Sequence, residues 1–229
     1  MTPPYARALG DLDRLRDRLR HVRWLGGGSG AGKSTVARHL AARYGLHLYG
    51  TDAAMPDHAR RARPEATPLL QEFTAMDMDA RWLDRSPETM LATFHWFAGE
   101  GFDLIVEDLL QLPTTTPVLA EGFRLLPGLV APLLTDPAHQ AVWLLPTPDF
   151  RRAAFAHRGS LWSIAGRTSD PERALTHLLT RDALFTDRLR GETASAGLPS
   201  VTVTPATTEP ALTAHVAEVF SLCRGRGRS

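Results

Sequence analysis

Residues 27–34 read Gly27-Gly28-Ser29-Gly30-Ala31-Gly32-Lys33-Ser34 and match the phosphate-binding pattern G-x-x-x-x-G-K-[ST] at every position. Glycines allow the backbone to turn tightly, so that successive N–H groups face one anion. A helix that begins at such a loop directs the positive end of its dipole at the same anion. In loops of this type the lysine contacts the β- and γ-phosphates, and the hydroxyl after it binds Mg²⁺. The pattern predicts that ATP and Mg²⁺ are bound by Gly28, Ser29, Gly30, Ala31, Gly32, Lys33, Ser34 and Thr35.

The segments on both sides of the loop fit this interpretation. Residues 22–25 form an apolar run typical of a short buried strand, and residues 34–44 predict a helix that ends at Gly45. Lys33 is also the only lysine, since the other 25 of the 26 Lys and Arg residues are arginine. Arginine does not serve at this position, because a compact ammonium on a flexible stem must fit among the phosphates.

The composition is that of an ordinary globular chain, with 43% hydrophobic and 22% charged residues. The formal net charge of +1 gives no reason to expect nucleic acid or an anionic membrane as a partner. The single cysteine, Cys223, predicts a reducing compartment without disulfides. The first residues lack the apolar region of a signal peptide, and no stretch approaches the length of a membrane span. We therefore expect a cytoplasmic protein without a membrane partner.

Four further apolar segments have the length and composition of strands, and helical patterns separate them. They are residues 46–49, 117–120, 141–145 and 200–204. Strands that alternate with helices predict an α/β fold, in which helices cover both faces of a parallel sheet. A helix is also predicted over residues 6–20, and N-caps at Thr147, Ser169 and Thr208 predict three more.

The stretch from Gly26 to Asp52 resembles the small-molecule kinases of the P-loop superfamily, and it is similar to shikimate kinase, gluconate kinase and chloramphenicol phosphotransferase. The resemblance implies one P-loop domain over residues 1–229, with a five-stranded sheet in the order 2-3-1-4-5. It also implies a helical substrate-binding insertion over residues 53–115 and a short lid over residues 158–169. In these families an aspartate just past the second strand orients or deprotonates the acceptor hydroxyl, which implies this role for Asp52. A turn or helix-capping aspartate is the alternative.

Two acidic positions are candidates for the carboxylate that assists Ser34 at the metal. Glu121 follows the third predicted strand and precedes Gly122, a pattern that resembles the strand end of several nucleoside and small-metabolite kinases. It is the predicted metal and catalytic residue, with a capped turn as the alternative. The pair Glu107-Asp108 would be the acidic end of a strand if residues 104–108 formed one. We favour one long helix over residues 86–112, since its apolar spacing continues on both sides of that segment, whereas residues 53–86 show little helical pattern.

Arginines are the remaining candidates. Negative charge spreads over the transferred oxygens during phosphoryl transfer, so arginines that close over them stabilise the transition state. The resemblance implies such arginines in and near the lid, and the candidates are Arg158 for catalysis and Arg152 for the nucleotide. Arg60, Arg124 and Arg181 are the candidates for acceptor binding, beside Asp52, and Pro205 is expected to lie against the adenine ring. An ordinary solvated arginine is the alternative at each of these positions.

The sequence therefore favours an ATP-dependent phosphotransferase that moves the γ-phosphate to a hydroxyl of a small molecule. A metabolite, nucleoside, sugar or antibiotic all remain open as the acceptor, and so does the oligomeric state. The alternative is a nucleotide-binding regulator or slow NTPase without an acceptor. A nucleic-acid kinase or motor conflicts with the near-neutral charge.

Overall fold

The computed structural model describes residues 11–158 and 162–222 of the chain. Within these ranges five strands form one all-parallel sheet in the order β2-β3-β1-β4-β5, which confirms the predicted class and strand order. The strands are β1 Val22–Gly27, β2 His47–Gly50, β3 Val118–Glu121, β4 Ala141–Pro146 and β5 Ser200–Val203. Because all strands run in one direction, their last residues meet at one edge of the sheet, where α/β proteins place their ligands.

Helices pack around this sheet, and 3₁₀ turns lie at Pro64–Ala66 and Ala131–Leu133. The helices are, in chain order, α1 Leu12–Arg18, α2 Lys33–Tyr44, α3 Thr51–Arg61, α4 Pro68–Ala75, α5 Met78–Trp82, α6 Pro87–Thr93, α7 His95–Ala98, α8 Phe102–Gln111, α9 Pro127–Val130, α10 Pro137–Gln140, α11 Pro148–Arg158, α12 Trp162–Ala165, α13 Pro171–Ser195 and α14 Glu209–Val219.

Helices cover both faces of the sheet. Neighbouring residues of a strand point to opposite faces, so they belong to two separate apolar clusters. Trp24 and Trp143 belong to one apolar cluster, together with residues of α8 and α13. Leu25 and Leu144 are their neighbours in sequence and belong to a second cluster, with residues of α2 and α14. The buried indole of Trp143 donates its Nε1–H to the Leu125 carbonyl at 2.8 Å. This alternation explains the continuous apolar runs from which the strands were predicted.

The segment between β2 and β3 differs from its prediction in two ways. Residues 53–86 are not poor in helix, since α3, α4 and α5 lie there. The single long helix predicted over residues 86–112 is divided into α6, α7 and α8. Gly99 and Gly101 adopt φ values of +88° and +68° between α7 and α8, which ends one helix and starts the next. The helical assignment of residues 104–108 is confirmed, because they lie within α8.

The helix starts agree with their predictions at two of three caps. Thr147 accepts from Phe150 N at 3.3 Å, and Thr208 accepts from Ala211 N at 3.4 Å. Ser169 does not cap α13: Asp170 accepts from Arg173 N, and Ser169 N donates to Asp79 instead. Residues 6–10 of the first predicted helix and residues 159–161 of the predicted lid lie outside the described part of the chain.

Candidate functional site

The glycine-rich loop connects β1 to α2 at the carboxyl edge of the sheet. Three of its glycines have positive φ values, +133° at Gly27, +76° at Gly30 and +85° at Gly32, which side chains of L-residues rarely allow. Gly28 N donates to Leu144 O in β4 at 3.0 Å, so the loop is anchored to the sheet. The backbone thus favours glycine at these positions, two of which, Gly27 and Gly32, are the glycines that the pattern specifies.

Lys33 is the first residue of α2 and is 6% exposed. Its Nζ donates to the Gly28 carbonyl at 2.8 Å, so the ammonium lies inside the curve of the loop. A cation in this position faces the same space as the loop backbone, as an anion site requires.

Ser34 and Glu121 meet across the loop. Ser34 Oγ donates to Glu121 Oε2 at 3.2 Å. Glu121 ends β3, where it stands opposite Leu25 of β1 and Gly50 of β2, and only 6% of it is exposed. Burial raises the pKa of the Glu121 carboxyl, and the positive charge of Lys33 opposes this shift. The hydroxyl predicted to bind metal and the predicted carboxylate are therefore direct neighbours.

Asp52 lies beside this pair, at the start of α3. A Cβ built on Gly122, which follows Glu121, would lie 3.2 Å from Asp52 Oδ1. The buried Thr51 donates to Asp52 Oδ1 at 3.4 Å, while Asp52 itself is exposed. The helix-cap alternative is not observed, because the N-cap of α3 is Gly50 and no side chain caps it. The structure brings Asp52 to the same edge as the loop.

Arg124, a predicted acceptor ligand, is 2% exposed and contacts protein groups. Its Nη1 contacts His58 Nδ1 at 2.8 Å and Thr51 O at 3.4 Å, and its Nη2 donates to Gly101 O at 3.0 Å. Its guanidinium also lies over the Trp96 ring, 3.9 Å from the centroid. Burial lowers the pKa of Arg124 to about 10. These contacts make Arg124 a link between α3 and the segment that precedes α8.

A buried polar network that the sequence did not reveal extends from Arg124. Since the Arg124 guanidinium can only donate to His58 Nδ1, the hydrogen of His58 is on Nε2 and is donated to Asp108 Oδ2 at 2.7 Å. Tyr49 and Arg61 donate to the same carboxylate at 2.7 Å and 2.6 Å. Burial is the main cause that lowers the pKa of His58. Asp108 therefore joins α8 to α3, and Glu121 is the acidic residue beside Ser34.

The other predicted arginines lie in different environments. Arg181 is 5% exposed on α13. Arg60 is exposed and forms a salt bridge with Asp57 at 3.0 Å. The Arg152 side chain is 75% exposed and lies 3.9 Å from the Asp149 carboxylate. The side chain of Arg158 lies outside the described residues. The roles predicted for these arginines stay predictions.

Pro205 occupies an exposed turn after β5, closed by Thr207 N donating to Thr204 O at 2.9 Å. The described ranges contain no group of three or more His, Cys, Asp or Glu side chains arranged to hold a metal ion. Mg²⁺ does not need such a cluster, since one or two protein oxygens, phosphates and waters complete its shell.

Over residues 11–158 and 162–222, no helix combines the length and apolar character of a membrane span.

No protein-family model matches the chain, and the search of curated proteins also found no match. Function is therefore inferred from the geometry of the site.

Proposed function

We propose that this chain is a P-loop kinase that transfers the γ-phosphate of ATP to a hydroxyl of a small molecule. One observation carries the proposal: the hydroxyl of Ser34 contacts the buried Glu121 carboxylate at 3.2 Å, beside a loop that holds the Lys33 ammonium 2.8 Å from Gly28 O. An ammonium, a hydroxyl and a carboxylate around a glycine loop are the groups that a nucleotide with Mg²⁺ requires.

The residues of the loop fit the triphosphate. Positive φ values at Gly30 and Gly32 curve the backbone, and α2 begins directly after Gly32. The amides at the start of α2 add the positive end of its dipole. Lys33 would leave the Gly28 carbonyl to contact phosphate oxygens, which are stronger acceptors because they are charged.

Ser34 and Glu121 would hold Mg²⁺, the former directly and the latter directly or through water. When bound, Mg²⁺ neutralises charge on the phosphate oxygens. The Ser34 side chain is solvent-accessible and Glu121 is nearly buried, so the pair can face a ligand while the carboxylate stays fixed.

Asp52 would accept a hydrogen bond from the acceptor hydroxyl and orient that oxygen toward the phosphorus. Because Gly122 has no side chain, Thr51 and the Asp52 carboxylate pack closely against the residue that follows Glu121. Helices α3–α8 lie between β2 and β3 in the chain and would supply the surface on which the acceptor is held. The single cysteine and the formal net charge of only +1 agree with a cytoplasmic enzyme that acts on a metabolite.

Isothermal titration with Mg-ATP tests the first half of the proposal. We expect saturable binding to the wild type and none to Lys33→Ala, while Arg43→Ala, an exposed change on the same helix, binds normally. ADP release measured against a panel of metabolites, nucleosides, sugars and antibiotics tests the second half, with mass spectrometry of the phosphorylated product. If nucleotide binds and no compound raises ADP release, the chain is a regulator or slow NTPase instead.

A further inference from the structure

Two arginines are buried beside the glycine loop without enough negative charge to match them. Arg151 of α11 and Arg181 of α13 are 2% and 5% exposed, and Asp182 and Thr186 next to them are 1% and 2% exposed. We call these four residues the buried arginine cluster. Two guanidinium groups and one carboxylate give the cluster a net charge of +1. Burying an uncompensated charge is costly, so such a cluster needs an explanation.

The hydrogen bonds within the cluster leave three buried atoms without a partner. Arg181 donates from Nε and Nη2 to Asp182 Oδ1 at 3.0 Å and 2.7 Å. Arg151 Nη2 donates to Thr186 Oγ1, which itself donates to Asp182 O at 2.9 Å. Arg151 Nε, Arg181 Nη1 and Asp182 Oδ2 have no hydrogen-bond partner among the described residues. Two of the three unpartnered atoms are cationic donors, which suit an anion.

The cluster touches the loop. A Cβ built on Gly28 would lie 2.5 Å from Thr186 Oγ1, so the Gly28 backbone packs directly on the threonine that Arg151 contacts. The carbonyl of the same Gly28 accepts from Lys33 Nζ. The chain of contacts Arg151–Thr186–Gly28–Lys33 therefore joins the buried arginine cluster to the predicted phosphate site.

Aromatic rings hold Arg181 in place. Its guanidinium carbon lies 5.2 Å from the Phe97 ring centroid and 5.3 Å from that of Phe94. Phe97 stacks on Phe185 of the same helix α13, with ring centroids 3.8 Å apart. A guanidinium fixed in this way loses little conformational freedom when an anion binds.

We propose that the buried arginine cluster is an oxyanion subsite, in which Arg151 Nε and Arg181 Nη1 donate to one tetrahedral anion beside Gly28. This inference rests on the proposed function, where the anion is the terminal phosphoryl group of ATP. Arg151 and Arg181 then stabilise the transferred phosphoryl group from fixed helices, whereas Arg152 points to solvent. Asp182 neutralises one of the two arginines, so a single negative charge completes the balance. Burial lowers the pKa of Arg151, and the negative charges of Asp182 and Asp187 oppose this shift.

The test is Arg151→Met in the full chain, which removes the charge and retains most of the volume. If Arg151 stabilises the fold, its replacement should lower the melting temperature. If its charge is uncompensated, the replacement should leave the melting temperature unchanged or raise it. By titration, we expect the affinity for Mg-ATP to fall about tenfold to a hundredfold, and that for Mg-ADP to change less than about twofold. Arg173→Met, an exposed change at the start of α13, serves as the matched control.

Sulfate is a second probe that needs no nucleotide. We expect sulfate to raise the melting temperature of the wild type and of Arg173→Met more than that of Arg151→Met, in which only the glycine loop remains to bind the anion. Should Arg151→Met not fold, Arg151→Gln carries the same test, because the amide removes the charge and still has a donor for Thr186 Oγ1.

The outcomes separate the two proposals. A smaller sulfate response of Arg151→Met than of the wild type, with unchanged Mg-ATP affinity, supports the subsite and makes an anionic group of the acceptor its occupant. A destabilised Arg151→Met with unchanged affinity for Mg-ATP, Mg-ADP and sulfate overturns the subsite. A wild type that binds no Mg-ATP overturns the proposed function, while the sulfate response still decides whether the cluster binds an anion.

Discussion

Ser34 donates its hydroxyl hydrogen to Glu121 Oε2 across 3.2 Å, although 87 positions separate the two residues in the chain. The contact exists because β1 and β3 are neighbours in the sheet, so the loop after β1 meets the end of β3. The burial that raises the pKa of Glu121 also makes its carboxylate a costly group to retain for stability alone. A residue that costs stability and lies next to the glycine-rich loop points to function.

Glu121→Gln is therefore expected to separate stability from binding. Because the raised pKa shows that the charged form is disfavoured in the fold, the neutral amide should leave the free energy of unfolding at neutral pH unchanged or higher. The affinity for Mg-ATP should fall about tenfold or more. The variant should then bind ATP with the same affinity in Mg²⁺ as in EDTA. Glu218→Gln, at an exposed position of α14, controls for the loss of one charge.

The same pKa predicts the pH dependence of metal binding. A protonated carboxyl does not bind Mg²⁺, and a raised pKa means that Glu121 takes up its proton at a higher pH than an ordinary glutamate. On acidification from about pH 8 to about pH 5, the Mg²⁺-dependent part of ATP binding should decline before free glutamate would titrate. A Mg²⁺ effect that stays constant through this range would argue against Glu121 as the metal residue.

Asp52→Asn should abolish transfer without abolishing nucleotide binding. The amide keeps the size of the carboxylate but cannot accept a proton, so phosphorylation of an identified acceptor should slow by about 10²- to 10⁴-fold. The affinity for Mg-ATP should change less than about twofold, since Asp52 is proposed to contact the acceptor and not the nucleotide. Asp57→Asn on the same helix, where Asp57 pairs with Arg60 and Arg61, is the control. Full activity of Asp52→Asn would refute this assignment.

The sheet could be predicted from the sequence because the residue patterns that identify its strands are local. β3 and β4 are largely apolar runs, β5 contains β-branched residues, and the loop motif marks the end of β1 and the start of α2. The strand order came from the resemblance, and it then implied that the ends of β1, β2 and β3 meet. The proximity of Ser34, Asp52 and Glu121 follows from that order alone.

The remainder depends on contacts between distant residues, which no local pattern encodes. His58 and Asp108 are 50 positions apart, and Arg151 and Thr186 are 35 apart. In a chain with 25 arginines among its 26 Lys and Arg residues, a buried arginine looks like any other until its surroundings are known. The division of the predicted helix over residues 86–112 was missed for a related reason, since Gly99 and Gly101 interrupt the backbone without interrupting the apolar spacing.

Gly122→Ala tests how tightly the backbone after β3 packs against Thr51. Gly122 has φ +148°, and an added Cβ would overlap Thr51 Oγ1, which is fully buried. We expect destabilisation of about 3 kcal/mol, from backbone strain together with displacement of Thr51. Gly45→Ala is the matched control, because Gly45 also has a positive φ, +67°, but no atom lies within 4 Å of an added Cβ. That change should cost only about 1–2 kcal/mol in urea unfolding. If both variants lose the same free energy of unfolding, the Thr51 side chain moves aside without a measurable cost.

His95 should make the stability of the fold depend on pH. It is 2% exposed among the rings of Phe73, Phe94 and Trp96, and burial lowers its pKa from 6.5 to about 4. Between these two values the unfolded chain binds a proton that the folded chain does not, so the free energy of unfolding must fall as the pH falls from 6.5 toward 4. The loss attributable to His95 reaches at most about 3 kcal/mol.

His95→Leu removes the titrating group from this apolar site, so its stability should change less between neutral pH and about pH 5 than that of the wild type. His58, whose pKa is also lowered by burial, supplies part of the pH dependence that remains. His215→Leu, at an exposed position of α14, should instead retain the wild-type slope. Urea unfolding at a series of pH values measures the difference. If His95→Leu and the wild type lose stability in parallel on acidification, His95 is protonated in the folded chain, and its aromatic surroundings do not exclude the charge.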